Sequence, residues 1–272
     1  MSKKNHLISI IIPTKNEERN IERCLKSIIK SDYKNFEIIV VDQHSTDKTK
    51  QIVLGHGAKF ISVPKTDAYL PPSNSRNIGF MNSNGDYIFH LDADMELYPD
   101  LLSEINEIFN DSSVIAIVVP EEDVSSNIWS EAKAFERSLY FNTPMEAARV
   151  SRRILFEKVK YDINVTSGED WNIHDEFTKN GLIKRSVSKV KHHLGFISPK
   201  KEFLKKMNYG TGSGTYVKKN MPKISKLFFQ LIPIYLVAVI KNLFTKPQVV
   251  MSFLILRTID VFSLVLGIIR KL

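Results

Sequence analysis

The sequence predicts an α/β fold built on a largely parallel β-sheet. Three observations support this fold class. Apolar runs rich in β-branched residues alternate with helix-like segments, polar or acidic residues follow several predicted strands, and the composition is that of an ordinary globular protein. The 272 residues, 43% hydrophobic and 25% charged, are enough for one large domain with a smaller appendage.

The alternation of strands and helices begins at Leu7. Each predicted strand is a short β-branched run, and each predicted helix carries apolar residues at amphipathic spacing. Because a strand, a crossover helix and a second strand in this order normally give parallel strands, we expect a parallel sheet. The predicted strands are 7–12, 36–41, 59–63, 87–91 and 114–119, and the predicted helices are 17–30, 46–54, 74–82, 101–109 and 125–140.

Polar residues stand at the carboxyl ends of three predicted strands. Pro13-Thr14, Asp42 and Asp92-Ala93-Asp94 each follow an apolar run directly. In open parallel sheets, ligands bind beyond the carboxyl ends of the strands. The sequence therefore predicts a binding site at this edge, to which all three segments contribute.

The Asp92-Ala93-Asp94 triplet is the strongest candidate for a metal site. Two carboxylates two residues apart at a strand end can reach one hard cation, and Mg²⁺ or Mn²⁺ prefers such oxygen ligands. The small Ala93 leaves room for a diphosphate to approach. Acidic residues at strand ends also serve as helix caps or solvated loop charges, and the triplet alone does not exclude this.

Two further residues are candidates for binding a nucleotide. The Asp42 carboxylate could accept a hydrogen bond from a nucleobase imide or a ribose hydroxyl, with Glu17 and Thr14 as possible ribose contacts or helix caps. The Arg76 guanidinium could fork onto diphosphate oxygens. A surface salt bridge is the alternative for Arg76.

Charge is distributed unevenly along the chain. Residues 184–226 contain 12 Lys or Arg and one acidic residue, Glu202, whereas acidic residues outnumber basic ones before residue 184. This asymmetry suggests a negatively charged partner such as membrane lipid, nucleic acid or a phosphorylated substrate. The single cysteine, Cys24, excludes an internal disulfide and a cysteine-built zinc site, and the polar start of the chain predicts no signal peptide.

The chain becomes apolar towards its end. Residues 227–240 are short for a bilayer span, which needs about 20 residues, while residues 249–269 are long enough but contain Arg257 and Asp260. We favour helices lying in the membrane interface over a transmembrane pair. Helices that simply cover the globular core are the remaining alternative. The predicted domains are 1–222, catalytic, and 223–272, membrane-associating.

The ordered motifs together resemble the inverting family-2 glycosyltransferases, which have the GT-A fold. The resemblance spans residues 7–175. The matching segments are Ile10-Ile11-Ile12-Pro13-Thr14-Lys15-Asn16-Glu17, Val40-Val41-Asp42 with Ser45-Thr46-Asp47, Ser75-Arg76-Asn77-x-Gly79, Gly85-Asp86-Tyr87-Ile88 leading to Leu91-Asp92-Ala93-Asp94, and Ser167-Gly168-Glu169-Asp170-Trp171.

This resemblance implies a nucleotide-diphospho-sugar transferase fold and a set of site residues. Asp170 would be the general base, and Glu169 would orient it or bind the acceptor, although both also suit a helix start. Asp92 and Asp94 would bind Mn²⁺ or Mg²⁺, with His192 a third ligand in preference to its neighbour His193. The implied donor-binding residues are Pro13, Thr14, Asn16, Glu17, Asp42, Arg76, Asp92 and Ala93.

Other segments match the family in part. Arg149 and Arg153 resemble a basic pair that precedes the Gly-Glu-Asp motif, and Arg153 could lie near phosphate. Lys200, Lys201, Lys205, Lys206 and Tyr209-Gly210 resemble a mobile basic segment that covers the diphosphate, or they form a membrane-facing surface. Gln43 replaces an acid found in many relatives, which leaves the donor nucleotide open. The Gln-x-x-Arg-Trp signature of processive synthases is absent from the sequence, so we expect addition of a single sugar.

The leading functional hypothesis is a metal-dependent sugar transferase on the cytoplasmic face of a membrane, bound peripherally or monotopically. Its donor would be a UDP-, GDP- or dTDP-sugar, and its acceptor a glycan or a polyprenyl-linked molecule. Nucleic acid is not an expected partner. A nucleotidyltransferase is the second enzyme hypothesis, and a basic membrane- or nucleic-acid-binding module is the non-enzymatic one. The acidic first part of the chain counts against the latter.

Overall fold

A computed structural model describes residues 5–63, 71–141, 143, 146–165, 168–207 and 232–269. The chain divides into two compact units. The first comprises Met1–Glu122, Ala147–Ile163 and Glu169–His192, and the second comprises Asp123–Glu146, Asn164–Gly168 and His193–Leu272. The predicted domain boundary at residues 222 and 223 lies outside the described residues.

The secondary structure follows the predicted alternation closely. The strands are β1 (Ile8–Thr14), β2 (Phe36–Asp42), β3 (Lys59–Ser62), β4 (Tyr87–His90), β5 (Met95–Leu97), β6 (Val114–Val118), β7 (Glu121–Ser125), β8 (Val150–Arg152), β9 (Leu182–Arg185) and β10 (Val190–Gly195). The helices are α1 (Ile21–Ile29), α2 (Thr49–Gly55), α3 (Pro72–Met81), α4 (Leu101–Ile108), α5 (Ile128–Ser138), α6 (Arg153–Val159), α7 (Glu169–Thr178), α8 (199–207), α9 (Ile232–Asn242) and α10 (Pro247–Ile269).

The main sheet of the first unit has seven strands in the order β3-β2-β1-β4-β8-β6-β9. Strand β1 pairs in parallel with β2 and β4, β2 with β3, and β6 with β9. Strand β8 is antiparallel to both β4 and β6. The prediction of a largely parallel sheet is confirmed. The antiparallel strand β8 was not predicted, because three residues are too short a run to show a period.

The core explains why β1 was easy to predict. Ile8, Ile10, Ile11 and Ile12 are completely buried, and they divide between two apolar clusters on opposite faces of the sheet. A strand covered on both faces by helices reads as a continuous apolar run, as this one does. Strand β1 therefore lies inside the sheet, and its carboxyl end reaches the middle of the edge where the site is formed.

Two motif glycines allow close packing around β1. A Cβ atom on Gly79 of α3 would lie 2.3 Å from Cγ2 of Ile11, and one on Gly85 would lie 2.5 Å from the backbone nitrogen of Ser9. A side chain at Gly79 would require Ile11 to move, and one at Gly85 would require the Ser9 backbone to move. The glycines therefore set the approach of α3 and of the turn before β4, and α3 carries Arg76.

A second sheet lies beside the Asp-Ala-Asp loop. It has three strands in the order β5-β10-β7, and β5 begins directly after Asp94. Strand β10 pairs antiparallel with β5, with His192 opposite Met95. Because of this register, His192 is held next to a loop that lies about a hundred residues earlier in the chain.

Apart from the last residues of β7 and β10, the regular structure in the described part of the second unit is helical. Helix α5 begins at a capping box in which the Asn127 side chain accepts from the Ser130 backbone, and it packs against α10. Ala132, Phe253 and Leu256 form the apolar centre of this contact. Pro247–Gly267, with a mean hydropathy of 2.1, is the one described helix long and apolar enough to cross a membrane. Residues 227–231 of the first predicted apolar run lie outside the described residues.

Helices α5 and α10 also share charged side chains, here called the helical charge cluster: Lys133, Glu136, Arg257 and Asp260. Arg257 Nη1 lies 2.9 Å from Glu136 Oε1, and Lys133 Nζ lies 3.1 Å from Glu136 Oε2. Arg257 also pairs with Asp260 one turn along α10. The two charges that argued against a bilayer span are thus paired with each other and with α5.

Candidate functional site

The first aspartate of the Asp-Ala-Asp loop is held by two arginines. Arg76 Nη2 donates to Asp92 Oδ1 at 2.9 Å, and Arg149 Nη1 donates to Oδ2 at 3.0 Å. Burial opposes ionisation of this carboxyl, but Arg149 and Arg76 outweigh it and hold the pKa of Asp92 well below its usual range. Asp92 is therefore an anion with a fixed orientation.

Arg76 also joins the Asp-Ala-Asp loop to the start of α7. Its side chain is only 4% exposed, and its Nη1 lies 3.1 Å from Asp170 Oδ1 and 3.6 Å from Glu169 Oε1. Burial and the neighbouring Asp170 raise the pKa of Glu169. Asp92, Glu169 and Asp170 surround Arg76, and together with Asp94 of the same loop we call them the acidic cluster.

Tyr161 is a contact of the acidic cluster that the sequence did not reveal. Its hydroxyl donates to Asp170 Oδ1 at 3.3 Å, and its ring lies against the Arg76 guanidinium, 5.3 Å from ring centre to Cζ. Burial raises the pKa of this phenol, so it stays protonated and acts as a donor. Arg76 and Tyr161 therefore fix the same oxygen of Asp170.

The second aspartate of the loop faces a histidine. Asp94 Oδ2 lies 3.4 Å from His192 Nε2, on the strand that pairs with β5. Asp94 Oδ1 is buried and has no hydrogen-bond partner among the described residues. A carboxylate oxygen and an imidazole nitrogen converging beside a buried, unsatisfied oxygen fit a divalent cation such as Mn²⁺ or Mg²⁺.

Glu121 links this histidine to Arg149, and the sequence did not single it out. Its Oε2 lies 2.8 Å from His192 Nδ1, while its Oε1 accepts from Arg149 Nη2 at 2.7 Å and from Nε at 3.2 Å. Contacts therefore run from Asp92 through Arg149, Glu121 and His192 to Asp94. Both aspartates of the loop are oriented by one continuous network.

The other predicted donor-binding residues lie at the ends of β1 and β2. The Asp42 carboxylate is buried and accepts from Thr14 Oγ1 at 2.9 Å and from the Ser45 backbone at 2.8 Å. Asn16, with φ of 58°, accepts from the Thr46 backbone through its side chain. Pro13 lies within β1, opposite Val41.

Glu17 lies among the other acidic residues at this edge. Its backbone N–H donates to Thr49 Oγ1 at 2.8 Å, and its side chain accepts from Asn20. Burial raises the pKa of Glu17, and the nearby Asp94 and Asp92 raise it further. The three strand ends named from the sequence therefore meet at one edge, as predicted from parallel topology.

The match to a family model identifies the chain. A model described as glycosyl transferase family 2 matches residues 9–190, which include the acidic cluster and the strand ends just described. The chain belongs to glycosyl transferase family 2. It is therefore a glycosyltransferase, and the family resemblance noted from its motifs is confirmed.

Comparisons with individual proteins support the same family. This glycosyltransferase is 27% identical over 254 residues to the dolichyl N-acetyl-alpha-D-glucosaminyl phosphate 3-beta-D-2,3-diacetamido-2,3-dideoxy-beta-D-glucuronosyltransferase of Methanococcus voltae, covering 82% of this chain and 78% of that one.

Solved structures resemble the chain in fold. The mannosyltransferase PcManGT from Pyrobaculum calidifontis, in complex with GDP-Man and Mn²⁺, aligns with a TM-score of 0.65 and 16% identity, covering 98% of this chain and 87% of that one. S. aureus TarS 1-349 in complex with UDP aligns with a TM-score of 0.56 and 17% identity, covering 97% and 91%. The predicted GT-A fold with its apolar C-terminal helix is confirmed.

The register of β8 separates the two arginines that the family motif paired. Strand β8 runs antiparallel to β4, with Val150 opposite Phe89 and Arg152 opposite Tyr87. Arg149 therefore lies at the carboxyl end of β4, beside Asp92. Arg153 lies at the other end, where its guanidinium donates to the Gly85 carbonyl and to Ser83 Oγ. Of these two arginines, only Arg149 joins Arg76 at the site of this glycosyltransferase, whereas Arg153 bonds to the turn before β4.

Some predicted segments fall elsewhere or are not described. Ser167 and Tyr209-Gly210 lie outside the described residues. Lys200, Lys201, Lys205 and Lys206 lie in α8 of the second unit. His193 directly follows His192 on β10.

Proposed function

We propose that this chain is an inverting, metal-dependent glycosyltransferase that moves a single sugar from a nucleotide-diphosphate sugar to an acceptor. The observation that carries the proposal is the acidic cluster. Asp92, Glu169 and Asp170 converge on one buried guanidinium, that of Arg76. Carboxylates ordered by buried arginines can supply both a cation site and a proton acceptor close to one another.

Asp170 is the proposed general base. Its Oδ1 accepts from Arg76 and Tyr161, whereas Oδ2 has no hydrogen-bond donor in the described part of the chain. Oδ2 would take the proton of the acceptor hydroxyl as that oxygen attacks the anomeric carbon. The bond from this carbon to the diphosphate oxygen breaks on the opposite side, which inverts the anomeric centre.

Asp94 and His192 would hold the divalent cation. When bound, Mn²⁺ or Mg²⁺ would neutralise the charge that develops on the departing nucleoside diphosphate. Asp92, fixed by Arg76 and Arg149, would face the donor rather than move during the reaction. This division of roles follows from the different partners of the two aspartates.

The proposed donor is a UDP-, GDP- or dTDP-sugar. Asp42, with Thr14, Asn16 and Glu17 around it, would contact the base and ribose at the ends of β1 and β2. Structural neighbours support a nucleotide donor, because TarS was solved with UDP and PcManGT with GDP-Man. Gln43 donates to Ser75 Oγ at 3.0 Å and would lie near the base edge.

We further propose that the second unit binds the cytoplasmic surface of a membrane and that the acceptor is a glycan or a polyprenyl-linked molecule. Helices α9 and α10 and the turn between them contain large apolar side chains that are more than half exposed, among them Leu236, Ile240, Phe244, Val261 and Phe262. Lys241 and Lys246 belong to the same segment of the chain and suit anionic headgroups. The name of the Methanococcus voltae relative includes a dolichyl N-acetyl-alpha-D-glucosaminyl phosphate.

Binding of the donor is the direct test of the catalytic proposal. We expect one of UDP-, GDP- or dTDP-sugars to raise the melting temperature in the presence of Mn²⁺, and to be hydrolysed slowly without an acceptor, because a ligand of the native state stabilises it. The Asp94→Asn variant should lose the Mn²⁺-dependent part of the shift. No shift and no hydrolysis with any of the donors would refute the proposal.

Flotation with vesicles tests the membrane proposal separately. The double variant Phe244→Asn and Phe262→Asn should float less with vesicles of phosphatidylcholine and phosphatidylglycerol than the wild type. Phe196→Asn is the matched control, because Phe196 is an exposed phenylalanine of the same unit outside residues 232–269. Equal flotation of the wild type and the double variant would exclude this face as the lipid contact.

A further inference from the structure

Glu121 uses both of its carboxylate oxygens within the site. Oε1 accepts two hydrogen bonds from the fork of Arg149, through Nη2 at 2.7 Å and Nε at 3.2 Å. Oε2 lies 2.8 Å from Nδ1 of His192. An arginine fork fixes the plane of a carboxylate more strictly than a single donor does. The position of Oε2 is therefore determined by Arg149.

That position determines which nitrogen of His192 carries a proton when the imidazole is neutral. A carboxylate only accepts hydrogen bonds, so Nδ1 must be the donor, and Nε2 then carries the lone pair. Nε2 is the nitrogen that faces Asp94, at 3.4 Å from Oδ2. A histidine that binds a metal typically donates its other N–H to a carboxylate in this way.

We propose that Glu121 is a positioning residue of the metal site, which sets the tautomer and ring orientation of His192 without binding the metal itself. The inference rests on the proposed function, in that it takes Asp94 and His192 as ligands. The contacts of Glu121 support an indirect role, because Arg149 and His192 occupy its two oxygens. Glu121 also joins His192 to Arg149, and through it to Asp92.

The neighbouring residue offers a matched control. Consecutive residues of a strand point to opposite faces, and Glu122 indeed turns away from the site. Its Oε2 accepts from the Tyr98 hydroxyl at 3.1 Å and lies 4.0 Å from Lys189 Nζ. Glu121→Gln and Glu122→Gln therefore remove the same charge from adjacent positions, but only the first changes the partner of His192.

The experiment is a titration of the full chain with Mn²⁺, followed by electron paramagnetic resonance. In Glu121→Gln the NH₂ group of the amide must face one of two partners. If it faces Arg149, two donors oppose each other. If it faces His192, it donates to Nδ1 and so reverses the tautomer. We expect Mn²⁺ to bind about 10- to 100-fold more weakly. The nitrogen coupling of a bound imidazole, visible in the spin-echo spectrum of the wild type, should be lost. Glu122→Gln should match the wild type in both measurements.

A second variant guards against misfolding. Glu121→Asp keeps a carboxylate for Arg149 but withdraws it from His192, so it should also weaken Mn²⁺ binding while the circular dichroism spectrum stays native. Mn²⁺ affinity equal to the wild type in both Glu121 variants would overturn the inference. Weaker binding with the nitrogen coupling retained would overturn it too, because Glu121 would then be a direct ligand.

The outcomes separate this inference from the proposed function. A wild type that binds a nucleotide sugar but no Mn²⁺ would refute the metal site and with it the role of Glu121, while transfer itself would stand. A wild type that binds Mn²⁺ through an imidazole nitrogen, together with unaffected Glu121 variants, would refute the positioning role alone.

Discussion

Each unit of the molecule contains a cluster of charged side chains, and the two clusters are exposed in opposite ways. In the acidic cluster the cation is the buried partner: Arg76 is 4% exposed, while Asp170 is 39% exposed. In the helical charge cluster the anion is the buried partner: Glu136 is 3% exposed, while Arg257 is 29% exposed. Each cluster contains several ion pairs. The acidic cluster presents a carboxylate to solvent, whereas the helical charge cluster presents a guanidinium.

This difference separates a site from a structural contact. Carboxylates that are ordered from below by buried arginines can still reach a cation or a substrate from solvent. Glu136, by contrast, has both oxygens turned to Lys133 and Arg257, and its hydrogen bond from the Tyr140 hydroxyl completes its partners. Removing one partner of such a buried pair lowers the stability of the fold, because the remaining charge stays desolvated.

The comparison predicts its largest effect at the exposed end of the acidic cluster. Asp170→Asn should lower kcat by about 10³- to 10⁴-fold, because the amide cannot take the acceptor proton. Donor affinity, measured by calorimetry, should stay close to the wild type. If the donor affinity fell by the same factor as kcat, Asp170 would bind the donor and would not be the base.

Substitutions in the helical charge cluster should lower the free energy of unfolding without changing the affinity for Mn²⁺. Arg257→Met is expected to lower the free energy of unfolding by about 3 kcal/mol, measured with urea, since it leaves Glu136 and Asp260 short of a partner. Arg257→Lys, which keeps the charge, should cost less. Weaker Mn²⁺ binding in Arg257→Met would contradict the separation of the two clusters.

Tyr161→Phe tests how precisely the acidic cluster must be ordered. Removing the hydroxyl leaves the ring against Arg76 but takes away one of the two donors to Asp170 Oδ1, so Asp170 is oriented less strictly. We expect kcat to fall about 10-fold with an unchanged KM for the donor. Tyr33→Phe is the control, because its hydroxyl is a buried donor to the His6 carbonyl, away from the site. If both variants lower stability alone, the positioning role of Tyr161 is wrong.

The smallest predicted effect is on the pH dependence of the free energy of unfolding. Burial alone would raise the pKa of Glu136, but Lys133 and Arg257 outweigh it, and the pKa lies below its usual value of 4.5. Stability from this carboxylate is thus fully present above pH 4.5 and is lost as the pH falls through the lowered pKa. The Glu136→Gln variant should show a shallower decrease in unfolding free energy on acidification. An identical slope would show that Glu136 does not titrate with folding.

Much of the fold was predictable because its elements have periods that one sequence can show. Strand β1 and helix α1 are apolar at the spacing of a buried strand and an amphipathic helix, and the structure has them at Ile8–Thr14 and Ile21–Ile29. Strand β8 was missed because three residues show no period. Its antiparallel direction then decided that Arg149, and not Arg153, lies beside Asp92.

By itself, the sequence determined the parallel strands, the meeting of Thr14, Asp42 and Asp92 at one edge, and the family. These are consequences of local pattern and of the topology that such patterns impose. Only the tertiary structure revealed the contacts of Glu121 and Tyr161. Arg149, His192 and Arg76 are distant from them in sequence, and the local sequence around Glu121 or Tyr161 does not indicate which residues these side chains will contact. The sequence names the groups that carry the chemistry, whereas the register of the strands decides what orients them.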